Sequence, residues 1–298
     1  MADEPAESET PKRDRVPWAL RLTFTPVLLV IMMLIGIRML NAISVYPPIE
    51  MDKSIAPKLA AERPDVTEVH FEADDGVKLY GWVLGAKDAR RRIIACTGNG
   101  DYVGSIAGLY SDHAEALDAQ FLLFDYRGYA NSEGRPGEAG LYADARGAYR
   151  YAVHELGWKP TEIVLWGRSL GGAPAIKLAY DLVADGAPPR ALVLEAPFTN
   201  IHDMAQVAMP ALGKPEWLIY EMYDNLARAP KLTLPVFHYQ GTGDEIIPFE
   251  QGETLFAALP GPKEHLTLEG VGHLNIWEDS TRGSMIRHRI DAFLRAYE

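Results

Sequence analysis

A chain of 298 residues suits one large domain with an attachment, and 48% hydrophobic with 23% charged residues is the makeup of a globular protein with a sizeable core. The formal charge of −12 argues against a nucleic-acid partner, which would need clustered Lys and Arg to meet phosphates. The single cysteine, Cys96, excludes an intramolecular disulfide; set in the apolar run IIAC, it reads as a small buried residue rather than a reactive thiol.

Residues 1–17 are polar and Pro-containing and read as a disordered tail. Trp18–Leu40 follows, WALRLTFTPVLLVIMMLIGIRML. Its uncharged centre, Leu22–Ile37, spans about 24 Å as a helix, short of a ~30 Å hydrocarbon core. Arg21 and Arg38 stand at its edges, where their long side chains reach the headgroups, and the whole stretch reaches about 34 Å. We read it as a transmembrane anchor. A cleaved signal peptide would have a shorter apolar region and a small-x-small cleavage site after it, and a core helix is seldom apolar on every face at this length. Lys12, Arg13, Arg15 and Arg21 precede or open the span, against Arg38 and Lys53 after it. The positive-inside rule then places the N-terminus in the cytoplasm and the rest of the chain on the far side of the membrane. Residues 41–65, with Pro47, Pro48, Pro57 and Pro64, read as a linker.

From residue 66 the periodicity changes. VTEVHFEA alternates apolar and polar as a half-buried strand does, and the turn DDG with VKLYGWVL completes a hairpin. Short, fully apolar runs then alternate with helical stretches. RIIACTG precedes VGSIAGLYSDHAEAL. FLLFDY precedes a long helix near 138–156 with Leu141, Ala145, Ala148, Ala152 and Leu156 on one stripe. EIVLWG precedes LGGAPAIKLAYDLV, and ALVLEAP, LPVFHYQG and EHLTLEG follow. A terminal helix carries Ile286, Ile290, Phe293, Leu294 and Tyr297 on one face. Such alternation predicts a mostly parallel sheet covered by helices on both sides, with its ligand site at the carboxyl ends of the strands.

The pentapeptide Gly167-Arg168-Ser169-Leu170-Gly171 lies between the strand EIVLW and a helix. A G-x-S-x-G match alone is weak; on a strand–turn–helix it is the context of a nucleophile elbow. The alternative reading of Ser169 is an ordinary helix N-cap. A serine nucleophile needs a base and the base an orienting acid, in the chain order Ser, acid, His. Asp244 follows the strand LPVFHYQ in GTGDEIIP, and His273 follows EHLTLEG in GVGH. The other seven histidines lie in strands, on helices or several residues past a strand end. Glu195 and Glu245 are the rival acids; Asp244 is preferred because it directly follows the Gly-x-Gly turn, although a turn aspartate is common. Two backbone N–H donors are needed for an oxyanion. Leu170 follows the nucleophile, and Asn99 lies in the loop TGNGD after the strand RIIAC.

The ordered set DGVKLYGW, TGNG, DYRGYANSEG, GRSLGG, APFTNIHDMA, YDNL, GDEIIP and GVGH resembles the α/β-hydrolase superfamily, and within it the single-pass membrane branch of α/β-hydrolase domain-containing proteins related to the bud-emergence suppressor. The resemblance covers roughly residues 66–275. It departs at Thr97, where that branch has His, at Ala130, where it has Gly, and at Gln240, where it has His. It implies an α/β-hydrolase fold over residues 66–298 and a serine hydrolase for esters, thioesters or amides. Ser169, His273 and Asp244 would be the catalytic set, and no metal or organic cofactor is expected. Residues 200–232, rich in Met, Trp, Tyr and Leu, read as a small helical cap over an apolar acyl pocket, or as a simple connecting helix pair. The expected substrate is an amphiphilic or acylated small molecule or lipid. A serine peptidase of the same fold and a binding scaffold with an idle triad are the competing readings.

Overall fold

In a computed structural model, the structure describes residues 51–208 and 220–298 together with positions 27, 29, 31–33, 36, 45 and 46. The apolar runs become eight strands of one sheet. They are β1 Val66–Glu72, β2 Lys78–Leu84, β3 Arg91–Cys96, β4 Ala119–Phe124, β5 Ile163–Arg168, β6 Ala191–Glu195, β7 Val236–Gly241 and β8 Lys263–Leu268. Their order across the sheet is β1-β2-β4-β3-β5-β6-β7-β8. The hairpin β1–β2 is antiparallel and joins β4 antiparallel. From β4 through β8 every pairing is parallel. β4, β6 and β7 are buried at every position, as strands covered on both faces must be. β8 lies at the edge and is mostly half-exposed.

Side-chain alternation along the strands divides the core in two. Ile94 and Cys96 of β3 face one way, toward the helices Glu138–His154 and Gly172–Ala184; Ile93 and Ala95 face the other, toward Val103–Ala116 and Ser280–Arg295. In chain order the described helices are α1 Ile55–Glu62, α2 Val103–Ala116, α3 Glu138–His154, α4 Gly172–Ala184, α5 Ile201–Ala208, α6 Asn225–Arg228, α7 Phe249–Ala258 and α8 Ser280–Arg295. Four of the five residues of the predicted stripe of α3, Leu141, Ala145, Ala148 and Ala152, are fully buried, while Leu156 lies past the helix end at His154 and is half-buried. The alternation of strands and helices therefore yields the expected α/β-hydrolase sheet, with the strand ends β3 to β8 aligned along one carboxyl edge.

Two elements were not read from the sequence. Helix α1 lies inside the proline-rich stretch 41–65, with Pro57 in its first turn, where proline removes no intrahelical hydrogen bond. Ala56 of α1 is fully buried in the core on the α2 side. Helix α7, between Asp244 and β8, buries Leu255 and packs Gln251 and Gly252 inward. No helix among the described residues is long and apolar enough to cross a membrane. The predicted anchor Trp18–Leu40, apart from positions 27, 29, 31–33 and 36, lies outside the described residues, as do the tail 1–17 and the central part of the predicted cap, 209–219.

Candidate active site

β5 delivers Ser169 to the carboxyl edge and the chain turns at once into α4. Ser169 has φ +52°, a left-handed conformation that a residue with a side chain adopts at a cost of order 1–3 kcal/mol. The flanking glycines explain how so sharp a turn fits. A Cβ on Gly167 would sit 2.6 Å from the Cα of Gly172, and one on Gly171 would sit 2.1 Å from the carbonyl oxygen of Cys96. Only glycine lets the elbow press against α4 on one side and β3 on the other.

His273 arrives from the loop after β8, and its Nε2 lies 3.0 Å from the Ser169 Oγ. Its Nδ1 lies 2.8 Å from Oδ2 of Asp244, which stands on the turn after β7. The Asp244 carboxylate is held from three directions. Its Oδ1 accepts from the backbone N–H of Ile246 at 3.0 Å and Ile247 at 2.7 Å, and Oδ2 also accepts from Gln240 Nε2 at 3.3 Å. A carboxylate on Nδ1 selects the imidazole tautomer with its proton there, leaving the Nε2 lone pair toward the serine hydroxyl. Asp244 and His273 are both buried, and a Cβ on Gly241 would fall 1.9 Å from the carbonyl of Val271, so the two loops pack backbone to backbone.

The structure thus brings Ser169, His273 and Asp244 into one hydrogen-bonded line. The rival acids have other partners. Glu195, buried at the end of β6, accepts from Tyr239 Oη at 2.6 Å and Trp277 Nε1 at 3.0 Å and pairs with Arg168 Nε at 3.0 Å. Glu245 accepts from the backbone N–H of His273 at 3.3 Å and so fastens the histidine loop rather than the ring.

The loop Thr97–Asp101 follows β3 directly beside the elbow; a Cβ on Gly98 would lie 3.8 Å from the Ser169 Cβ. Asp101 Oδ2 accepts from the N–H of Gly98 at 2.8 Å and from Arg168 Nη1 at 3.1 Å, and Tyr129 Oη donates to Asn99 Oδ1 at 2.7 Å. Leu170 directly follows Ser169, and Asn99 directly follows Gly98 on the neighbouring loop, with its side chain already engaged by Tyr129. Leu170 opens the turn into α4, among the N–H groups that a helix leaves without intrahelical partners.

The Arg168 clamp is the feature that sequence reasoning missed. Burial works against the guanidinium charge, and Glu195 and Asp101 outweigh it, so its pKa is raised. Arg168 occupies the variable position of G-x-S-x-G, where the motif carries no signal; its partners lie 67 positions earlier and at the end of the next strand. The three departures from the family pattern also find their places. Gln240 stands beside Asp244, donating to it and to the Ile247 carbonyl at 2.8 Å. Ala130 adopts φ +33°, a left-handed value that accounts for glycine being usual there. Thr97 is buried and its carbonyl accepts from Tyr126 Oη at 3.2 Å.

Cys96 is fully buried at the end of β3, and burial pushes its thiol up to about 12. Among the described residues no three His, Cys, Asp or Glu side chains gather as a metal set.

Comparison with known proteins supplies independent findings. A family model described as serine aminopeptidase, S33, matches residues 87–226. An uncharacterized protein of Mycobacterium tuberculosis is 35% identical over 225 residues, which is 73% of this chain and 75% of that protein. Alpha/beta hydrolase domain-containing protein 17B of Homo sapiens is 29% identical over 191 residues, 63% of this chain and 62% of its own length. An esterase of Pyrococcus furiosus has a similar fold, with a TM-score of 0.64 at 18% identity over 85% of this chain and 97% of that one.

Proposed function

The chain belongs to the α/β-hydrolase superfamily, and on that premise we propose that it is a serine hydrolase that cleaves a carboxylic ester or thioester through an acyl-enzyme. The observation that carries the reading is the line Asp244–His273–Ser169, with contacts of 2.8 and 3.0 Å, on a serine held at φ +52°. His273 Nε2 takes the hydroxyl proton as Ser169 Oγ attacks the acyl carbonyl. Asp244 stabilises the imidazolium that forms. The N–H groups of Asn99 and Leu170 receive the oxyanion, on a loop and a turn fixed to each other through Asp101 and Arg168. The proton on Nε2 passes to the departing alcohol or thiol. Water, deprotonated by the same imidazole, then releases the acid and restores Ser169. Every step moves protons and acyl carbon only, so the chemistry calls for no metal or organic cofactor.

The apolar composition of 200–232 and the segment Trp18–Leu40 favour an amphiphilic or acylated substrate handled by a single-pass membrane protein, its N-terminus cytoplasmic and its hydrolase domain on the far side. The match to a family described as a serine aminopeptidase favours one second reading, cleavage of peptide amides by the same line of residues.

The test is active-site labelling with a fluorophosphonate, followed by turnover of acyl esters of rising chain length and of a peptide-amide series. Ser169→Ala is expected to abolish labelling and lower ester turnover by about 10⁶, since members of such a unit are not additive. Labelling that persists in Ser169→Ala would sink the assignment, and preference for the amide series would move it to the second reading.

A further inference from the structure

The acyl-transfer steps leave unused two buried polar side chains, His238 and Gln240, that stand behind Asp244. They are two positions apart on β7 and so share a face, and β8 sets the half-buried His265 directly beside His238. The two histidines meet Nδ1 to Nδ1 at 2.9 Å. Helix α7 covers them: Phe256 packs on both rings, and Phe249 on that of His265. The helix comes so close because residue 252 is glycine. A Cβ there would fall 1.9 Å from Gln240 Oε1 and 3.0 Å from His238 Nε2. Burial lowers the pKa of both histidines, that of His238 to about 3, so both rings are neutral at neutral pH.

Donors and acceptors then fix one arrangement. Gln240 Nε2 lies 2.8 Å from the Ile247 carbonyl oxygen and 3.3 Å from Asp244 Oδ2. Both oxygens only accept, so the amide commits its two N–H bonds to them and turns Oε1 the other way. There Oε1 and His238 Nε2 both face Gly252, each without another hydrogen-bond partner among the described residues. An amide oxygen only accepts, so His238 carries its proton on Nε2. The Gln240 amide accordingly opposes the fall in the His238 pKa. A neutral imidazole has a single N–H, which leaves His238 Nδ1 as an acceptor and makes His265 Nδ1 the donor to it. Every proton in the line points the same way, from His265 through His238 and Gln240 to Asp244.

The oxygen at the end of this line is the one that faces His273. Ile246 and Ile247 hold Asp244 by Oδ1, whereas Oδ2 lies 2.8 Å from His273 Nδ1. Gln240 is the one other donor on Oδ2 among the described residues. Held at Oδ1 alone, the carboxylate could still swing Oδ2 away from the ring. We propose that Gln240 is a positioning residue for the catalytic acid, aimed by His238 and His265, and that this line keeps Oδ2 on the Nδ1–H of His273 while the imidazole gains and loses its second proton. The proposal rests on the serine-hydrolase reading above. The line acts through Asp244 and touches no substrate, so its loss slows acyl transfer and leaves substrate binding in place.

Nitrogen-15 NMR of the full chain labelled at histidine reads the tautomers directly, with His238→Phe assigning the signal. His238 is expected to carry its proton on Nε2 at neutral pH; a proton on Nδ1 overturns the line. Activity is read as kcat and KM for an acyl ester. Gln240→Met is nearly isosteric but makes no such hydrogen bonds. It is expected to lower kcat about 10–100-fold, the factor that one hydrogen bond to a charged group contributes, with KM changed less than about twofold. His238→Phe keeps a ring against Phe256 and is expected to lower kcat about 2–10-fold. Because His238 acts through Gln240, the double variant is expected to be no slower than Gln240→Met alone. Ile290→Ala, in the core on the other face of the sheet, is the control: it loses stability and keeps kcat. Unchanged kcat in either variant with a lowered melting temperature, or rate losses that multiply in the double variant, leaves the line a structural role and overturns the proposal. The tautomer and His238→Phe decide the matter even where Gln240→Met does not fold. A parent chain that takes no fluorophosphonate and turns over no ester overturns the serine-hydrolase reading and this role with it, whereas the other failures leave that reading standing.

Discussion

Asp125 carries the most legible acid–base consequence of any single residue. It follows β4 and is fully buried, and its carboxylate accepts from the N–H of Val103 at 2.8 Å and of Asn131 at 3.2 Å. Burial raises its pKa to about 7, and the two backbone donors oppose this only in part. In the unfolded chain an aspartate titrates near 4. Below that both states hold the proton; between there and about 7 the unfolded chain releases it while the folded protein keeps it. Stability drawn from Asp125 therefore falls as pH rises through this window. Asp125→Asn removes the titration and keeps an acceptor for Val103. The melting temperature of the variant minus that of the parent protein is expected to climb between pH 5 and 8, and a flat difference would contradict the burial argument. The residues of the site follow a different logic, being fixed by hydrogen bonds from neighbouring backbone. Ser169, Asp244 and His273 were readable because each sits in a short motif just past a strand. The Arg168–Asp101–Glu195 network was not, because it joins the ends of β5 and β6 to the loop after β3 through side chains whose pairing no local spacing announces.

Elements show the same division. β4, β6 and β7 were readable because burial on both faces gives them apolar runs, FLLF, ALVL and VF, while the polar residues they carry, Gln120, Glu195, His238 and Gln240, are themselves buried. Helix α1 escaped because its apolar face, Ile55, Ala56, Leu59 and Ala60, is short and mostly half-buried, and Pro57 reads as a breaker unless its first-turn position is known. Contact between elements also sets the sign of glycine substitutions. Gly108 lies on the exposed face of α2, where an added Cβ meets nothing within 4 Å. Gly108→Ala is expected to stabilise the protein by about 0.5–1 kcal/mol by restricting the unfolded chain and restoring helix propensity. Gly171→Ala puts the same methyl 2.1 Å from the Cys96 carbonyl oxygen and 2.4 Å from that of Thr97. Those atoms are backbone and cannot turn aside, so the elbow must separate from β3 and the loop Thr97–Asp101. A destabilisation of about 1–3 kcal/mol is expected, together with a fall in ester turnover beyond any effect on substrate binding. Differential scanning calorimetry of both variants checks the opposite signs; equal melting temperatures would mean that the close packing of elbow on β3 is not a constraint.

For the whole molecule, the open question is where the folded unit begins. Proline content suggested that 41–65 merely links the anchor to the domain. Yet Tyr46 is buried and tied to Glu221 and Tyr223, Ala56 is fully buried, Met51 meets Ala130, and Ile55 lies against Gly104. These contacts make part of that stretch a strap across the domain. Its attachment at Glu221 reaches further, because Glu221 Oε1 accepts from the N–H of Glu138 at 3.1 Å and Glu138 Oε2 accepts from the N–H of Met222 at 2.7 Å. The start of α3, the segment beyond the predicted cap and the strap are thus held by one cluster of carboxylates and hydroxyls. A chain begun at residue 66 would lose the burial of Tyr46 and of the α1 face and leave Glu221 and Tyr223 without their partner. Burying one large side chain contributes about 1.5–3 kcal/mol, and leaving a buried polar group unpaired costs about 1–3 kcal/mol more. At roughly 2–4 °C per kcal/mol for a domain of this size, thermal unfolding followed by circular dichroism is expected to show the 66–298 chain melting roughly 5–20 °C below a 41–298 chain. If the two melt together, the strap is a passenger and the domain begins at β1. If they differ as expected, the chain before β1 is part of the fold that positions the site, fastened to it through the contacts of Tyr46.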